Sequence, residues 1–174
     1  MPDLTRRPTL LMLAGLPGTG KSTLAAALAG VLSWPVLDKD VLNTVLLAAQ
    51  LEQAQAGPLA YELVLALAHA LVVRHRQSII LDTAGRQPVL LARSRAIAQD
   101  ASGQLKVLRC VAPAAVRQAR LQQRTAGPSQ WTRDQTTPDQ EATWYSHLPE
   151  DTLIVASDQP IAELLPVILS FVQW

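Results

Sequence analysis

Short apolar runs alternate along this chain with longer segments whose apolar residues keep helical spacing. Thr9–Ala14 (TLLMLA) reads as a buried strand, and a glycine loop joins it to the helix-forming run Lys21–Leu32. Residues 34–40, WPVLDKD, read as a second strand, and 41–55 as a helix punctuated by Gly57-Pro58. Residues 59–77 form a largely apolar helix that should be buried. Ser78–Asp82 (SIILD) is a third strand, followed by a helix over 88–101 that Gly103 closes. A fourth strand at 105–112 precedes a helix over 113–124, with Pro113 near its first turn. Residues 125–140 are polar, carry two prolines and show no period. A fifth strand spans 151–157, and Ile161–Trp174 closes the chain as a helix.

Strands separated by helices of this length imply a parallel sheet covered on both faces. The expectation is an α/β, three-layer fold of about five strands, one domain over residues 1–174. The aperiodic stretch, about 125–140, is its lid. Ligands of such folds bind beyond the carboxyl ends of the strands, so the chemistry is sought there.

After the first strand stands Gly15-Leu16-Pro17-Gly18-Thr19-Gly20-Lys21-Ser22-Thr23, which fills the pattern G-x-x-x-x-G-K-[ST]. The glycines let backbone N–H groups converge on phosphate oxygens, Lys21 adds a point charge, and the helix that follows adds its positive end. The Ser22 hydroxyl is placed to ligate Mg²⁺. The strand–loop–helix context therefore indicates nucleoside triphosphate binding on a P-loop NTPase fold. A dinucleotide fingerprint fails on the same loop, because its third small residue is replaced by Thr23.

The second strand ends in Asp38-Lys39-Asp40. On an extended chain the two carboxylates point one way and Lys39 the other. Facing a Mg²⁺–phosphate site, one carboxylate can hold metal-bound water while the other accepts a hydroxyl proton. The plainer alternative is that Asp40 caps the next helix. Asp82, at the end of the third strand, suits the Mg²⁺ shell. It also opens Asp82-Thr83-Ala84-Gly85, a string with which GTPases sense a γ-phosphate, although the guanine-reading Asn-Lys-x-Asp is absent. Beyond the fourth strand Arg117, Arg120 and Arg124 share a helix face at the root of the lid. They are placed to neutralise charge on a transferring phosphoryl group or to form a solvated basic stripe. Trp131 lies within the lid. The apolar helix and Arg86, Arg93 and Arg95 are expected to border an acceptor pocket.

Charge narrows the partners. Lys and Arg number 15 against 14 Asp and Glu, for a net +1, which offers no broad grip on nucleic acid or anionic membrane. Cys110, the single cysteine, excludes an internal disulfide and a multi-cysteine zinc site, and the three histidines lack metal-ligand spacing. The apolar stretch in TRRPTLLMLAG is short for an export signal, and Leu63–Val73 is short for a membrane span. A soluble, cytoplasmic chain is expected.

In order, GLPGTGKST, LDKDVL, SIILDTAGR and VRQARLQQR, the chain resembles the P-loop kinases related to polynucleotide kinase, zeta-type toxins and chloramphenicol phosphotransferase, an AAA-type ATPase-like group. The resemblance covers about Thr9 to Arg124. It implies that Asp40 is the general base, that Arg120 and Arg124 are lid arginines, and that Asp82 matches the aspartate of strand three. It also implies that Ser157-Asp158-Gln159-Pro160 passes the adenine. Asn43 departs from it, since polynucleotide kinases often carry arginine there. The resulting expectation is a kinase that uses ATP and Mg²⁺ to phosphorylate a small-molecule hydroxyl acceptor. Lys21, Asp40, Arg120 and Arg124 would be catalytic, and Ser22 with Asp38 or Asp82 would hold the metal. The alternatives are a nucleotide-operated switch, or regulatory NTPase, and a polynucleotide 5′-end kinase.

Overall fold

Strand β1, Thr9–Ala14, is buried along its whole length, because parallel strands flank it and helices cover both its faces. The computed structural model describes residues 7–125, 133 and 135–173. Within them β2 (Val36–Asp38), β3 (Ile79–Asp82), β4 (Gln104–Val111) and β5 (Leu153–Ala156) complete a parallel sheet in the order β2-β3-β1-β4-β5. The pleat splits the unbroken apolar run of β1 between two cores. Leu10 and Met12 pack with Val64, Ala68 and Leu90 of α3 (Gln53–His69) and α4 (Pro88–Asp100). Leu11 and Leu13 pack with Leu24, Leu28 and Ile168 of α1 (Lys21–Leu32) and α7 (Ile161–Gln173). Each fully buried leucine contributes about 1.5–3 kcal/mol relative to exposure. The expected three-layer fold is therefore present.

Local structure departs from the sequence reading in four places. First, the second strand stops at Asp38, and Lys39 already begins α2 (Lys39–Ala48). Second, α2 ends early, at a turn in which Gln50 takes φ 65° while its N–H and that of Leu51 bond back to Leu47 and Leu46. This is a Schellman stop built on a residue that gives no glycine signal. Third, Gly57-Pro58 does not end a helix but sits inside α3. Fourth, Pro138–Tyr145 is a helix, α6, within and beyond the stretch read as aperiodic. Residues 126–132 and 134 of the expected lid, Trp131 included, lie outside the described residues. Helix α5 (Ala114–Gln123) lies between β4 and that stretch.

Helix α3 continues into a π-helical segment, Ala70–Arg74. The combined helix is 22 residues long and contains an 18-residue window with a mean hydropathy of 1.7, long and apolar enough by those measures to cross a membrane. The expected short span was thus an underestimate of the helix, whose Val64, Leu65, Ala68 and Val72 nevertheless pack into the sheet's core.

Candidate active site

The turn after β1 folds around its own lysine. Gly15, Gly18 and Gly20 have φ of 142°, 79° and 81°, so L-residues with side chains cannot build this loop without strain. Leu16 is fully buried against Tyr145 and Ala14 and anchors the loop. The Lys21 ammonium donates to the Leu16 carbonyl at 2.9 Å and lies 3.5 Å from the Thr19 hydroxyl. Burial lowers its pKa, and the Asp82 carboxylate opposes that shift. Ser22 and Thr23 are exposed at the start of α1. Gly15, Gly18, Gly20, Lys21, Ser22, Thr23 and Asp82 line a cleft of about 580 Å³.

Strands β2 and β3 bring Asp38 and Asp82 into register as neighbours at one end of the sheet. Asp38 caps α2, accepting from the Asp40 N–H at 2.7 Å and the Val41 N–H at 3.4 Å. The cap is thus Asp38 and not Asp40, and its pKa is raised by burial against those hydrogen bonds. Asp40 stands in the first helical turn, so Asp38 and Asp40 are not paired along an extended strand. Lys39 does not point away either, since its ammonium lies 3.3 Å from Asp40 and both line the cleft. Asp82 is almost fully buried and accepts from Ser22, yet burial outweighs that bond and the Lys21 charge, lifting its pKa to about 6.

On the opposite side the three arginines of α5 separate. Arg117 is buried and donates to the Ala112 carbonyl at 2.7 Å, so it is a structural residue of the helix start. Arg120 reaches the Ser157 carbonyl at 2.7 Å and the Gly18 carbonyl at 3.4 Å, tying the phosphate loop to the end of β5. The Ser157 hydroxyl adds to that tie by donating to the Thr19 and Val111 carbonyls. Arg124 is exposed and lines the cleft, as does Gln159.

Sequence reasoning missed how α6 braces the site. The Tyr145 hydroxyl donates at 3.1 Å to the Ala84 carbonyl, which also accepts from the Gly15 N–H. Arg109 lies 4.3 Å from the Tyr145 ring centroid and pairs with Glu141 at 2.7 Å. The Arg86 guanidinium lies 4.7 Å from the Trp144 ring centroid. The available signal was Thr137-Pro138-Asp139-Gln140, a capping box with proline at the first helical position. Of the residues expected around an acceptor, Tyr61 and Arg86 line the cleft. Arg93 instead forms an exposed pair with Glu62, and Arg95 is exposed on the same helix. Asn43 is fully buried, and its amide has no hydrogen-bond partner among the described residues.

Sheet order, phosphate loop and cleft define a P-loop NTPase fold. The chain belongs to the AAA domain family, whose model matches residues 10–153. An inferred kinase from Chloroflexus aurantiacus is similar at 22% identity and TM-score 0.72, covering 95% of this chain and 99% of that one. A gluconokinase from Sinorhizobium meliloti is similar at 20% identity and TM-score 0.61, with coverages of 97% and 93%. The APS kinase CysC of Mycobacterium tuberculosis, in complex with AMPPNP and APS, is similar at 18% and 0.66, with coverages of 97% and 99%. No curated protein matches the sequence.

Proposed function

We propose that this protein is an ATP-dependent kinase that transfers the γ-phosphate to a hydroxyl of a small molecule. The observation that carries this reading is one cleft lined by both the phosphate loop and the Asp40 carboxylate. Lys21 exchanges its bonds to Leu16 and Thr19 for phosphate oxygens, and the amides of Gly15 to Thr23 complete the cradle. The hard oxygens of Ser22 and Asp82 suit Mg²⁺, which takes one or two protein ligands and completes its shell with water and phosphate. Held there by Ser22 and Asp82, Mg²⁺ would neutralise charge on the phosphates. Since Asp38 is committed to capping α2, Asp82 is the better metal partner of the two.

Asp40 takes the acceptor's proton, with 43% of its side chain exposed to the cleft and solvent. Arg120 and Arg124 stabilise charge on the moving phosphoryl group from the other side. Adenine passes Ser157 and Gln159. The nucleotide complex of the similar APS kinase supports ATP as donor, and both that kinase and the gluconokinase support a small acceptor. Kinship with polynucleotide kinase and zeta-type toxins rests on motif order alone. The switch reading gains nothing from Gly85, whose identity follows from its packing on Ala14.

Labelled ATP incubated with hydroxyl metabolites tests the reading directly. Asp40→Asn is expected to lower kcat by about 10²–10⁴-fold while calorimetry still records MgATP uptake. A fully active Asp40→Asn enzyme removes the base assignment. ATP hydrolysis stimulated by a protein, without transfer to any acceptor, replaces the kinase with the switch.

A further inference from the structure

We propose that Lys39 is a positioning residue: its ammonium holds the Asp40 carboxylate in the orientation that receives the acceptor's proton, and the Tyr61 ring steers the ammonium. This rests on the kinase reading above and adds a residue to its mechanism.

Lys39 stands where local rules oppose a cation. It opens α2, and a helix N-terminus carries the positive end of the dipole. Lysine is almost never buried unless it is paired, yet only 14% of this side chain is exposed. Successive side chains of a helix diverge by about 100°, so the helix itself does not bring Lys39 onto Asp40. The ammonium nevertheless lies 3.3 Å from Asp40 Oδ1 and 5.1 Å from the Tyr61 ring centroid. Tyr61 belongs to α3, which packs along α2, so tertiary contact sets the path of the lysine. Asp40 and Tyr61 offset the cost of a cation held there, through a charge-assisted bond and a cation–π contact. Breaches of local preference of this kind concentrate at functional sites.

The three carboxylates of this part of the cleft are held in different ways. Asp38 is turned into the α2 cap by the N–H groups of Asp40 and Val41. Asp82 accepts from Ser22 and feels the charge of Lys21. Asp40 accepts from the Lys39 ammonium, a partner that can be removed without touching the backbone or the residues suited to Mg²⁺. The Ser22 hydroxyl is engaged by Asp82, and that of Thr83 donates to the Leu13 carbonyl at 3.3 Å. Lys21, bonded to Leu16, and Arg86, against Trp144, are further cations of the cleft. A carboxylate offers about four lone-pair sites, so the bond to Lys39 is compatible with a hydroxyl that donates to Asp40.

In the transfer, the acceptor oxygen bonds to the γ-phosphorus as the bond from that phosphorus to the bridging oxygen breaks. ADP leaves with the electron pair, and the hydroxyl proton passes to Asp40. The carboxylate must be aimed at that hydroxyl, and a misplacement of about 1 Å can cost up to about 10²-fold in rate.

The test uses the full chain and labelled MgATP, with water in the acceptor's place, so hydrolysis reads the step before any acceptor is known. Where a hydroxyl metabolite is phosphorylated, the same variants are compared on that transfer. Lys39→Met should lower kcat by about 10–100-fold while the calorimetric Kd for MgATP stays within about twofold. The stoichiometry of that titration counts the folded enzyme, so misfolding cannot imitate the loss. Lys39→Arg keeps both pairing and stacking and should retain most of the rate. Tyr61→Phe should also retain it, and Tyr61→Leu should lower it. In the Asp40→Asn background Lys39→Met should change little, because the double-mutant cycle removes effects that do not pass through Asp40. Additive losses, an unchanged kcat in Lys39→Met, a Lys39→Arg enzyme as slow as Lys39→Met, or a loss confined to the MgATP Kd overturns the inference and leaves the kinase reading standing. Turnover that Asp40→Asn does not slow, or no turnover with water or any hydroxyl metabolite, overturns the base assignment and the inference together.

Discussion

Asp82 holds the most consequential single charge of the site. Its folded pKa of about 6 lies above the ordinary value of 3.8 because burial penalises the carboxylate. Between those values the folded state binds more protons than the unfolded chain, so this residue's contribution to stability is largest below about pH 4 and is lost as pH rises to about 6. The full penalty is about 3 kcal/mol. Asp82→Asn should therefore stabilise the metal-free protein at pH 8 by up to about that amount, with little effect at pH 4. Urea unfolding in EDTA at both pH values measures the difference, and equal changes at the two would contradict it. Arg117 and Arg120 make the complementary point. Their spacing places them on one helix face, yet only packing tells a buried helix brace from a loop-binding arginine.

At the scale of elements, turns and caps decide what reaches the cleft. Starting α2 at Lys39 rotates Asp40 out of the strand's pleat and brings Lys39 onto the same side. The loop after β3 depends on Gly85, whose φ is +67° and whose added Cβ would meet the Ala14 Cβ at 2.5 Å. Left-handed backbone and overpacking each cost on the order of 1–3 kcal/mol, so Gly85→Ala should lose more than about 2 kcal/mol in urea unfolding. A neutral result would show that the loop can move off β1. The break at Gln50 was illegible because its positive φ is imposed by packing and helix closure, without the usual glycine. Helix α6 was legible through its capping box, but its aperiodic polar neighbourhood hid it.

For the molecule as a whole, the cleft is assembled from segments that follow all five strands. Ligand binding should therefore stabilise the entire domain. With MgATP at about 100 times its Kd, linkage contributes about 2.7 kcal/mol, or a Tm rise of about 5–10 °C for a domain of this size. Differential scanning fluorimetry reads that shift, and Lys21→Ala should abolish it. A protein whose Tm is indifferent to MgATP would lose the functional reading altogether.

The sequence alone determined the alternation of strands and helices, the phosphate loop and the strand-end aspartates. Those features depend on hydrophobic period and on backbone conformations that neighbouring residues dictate. Only the tertiary structure decided that Asp38 is a cap, that Asp82 meets Ser22, and that Arg86 lies on Trp144. Arg86 and Trp144 are 58 positions apart. Their meeting depends on strand order and helix docking, which no local pattern encodes.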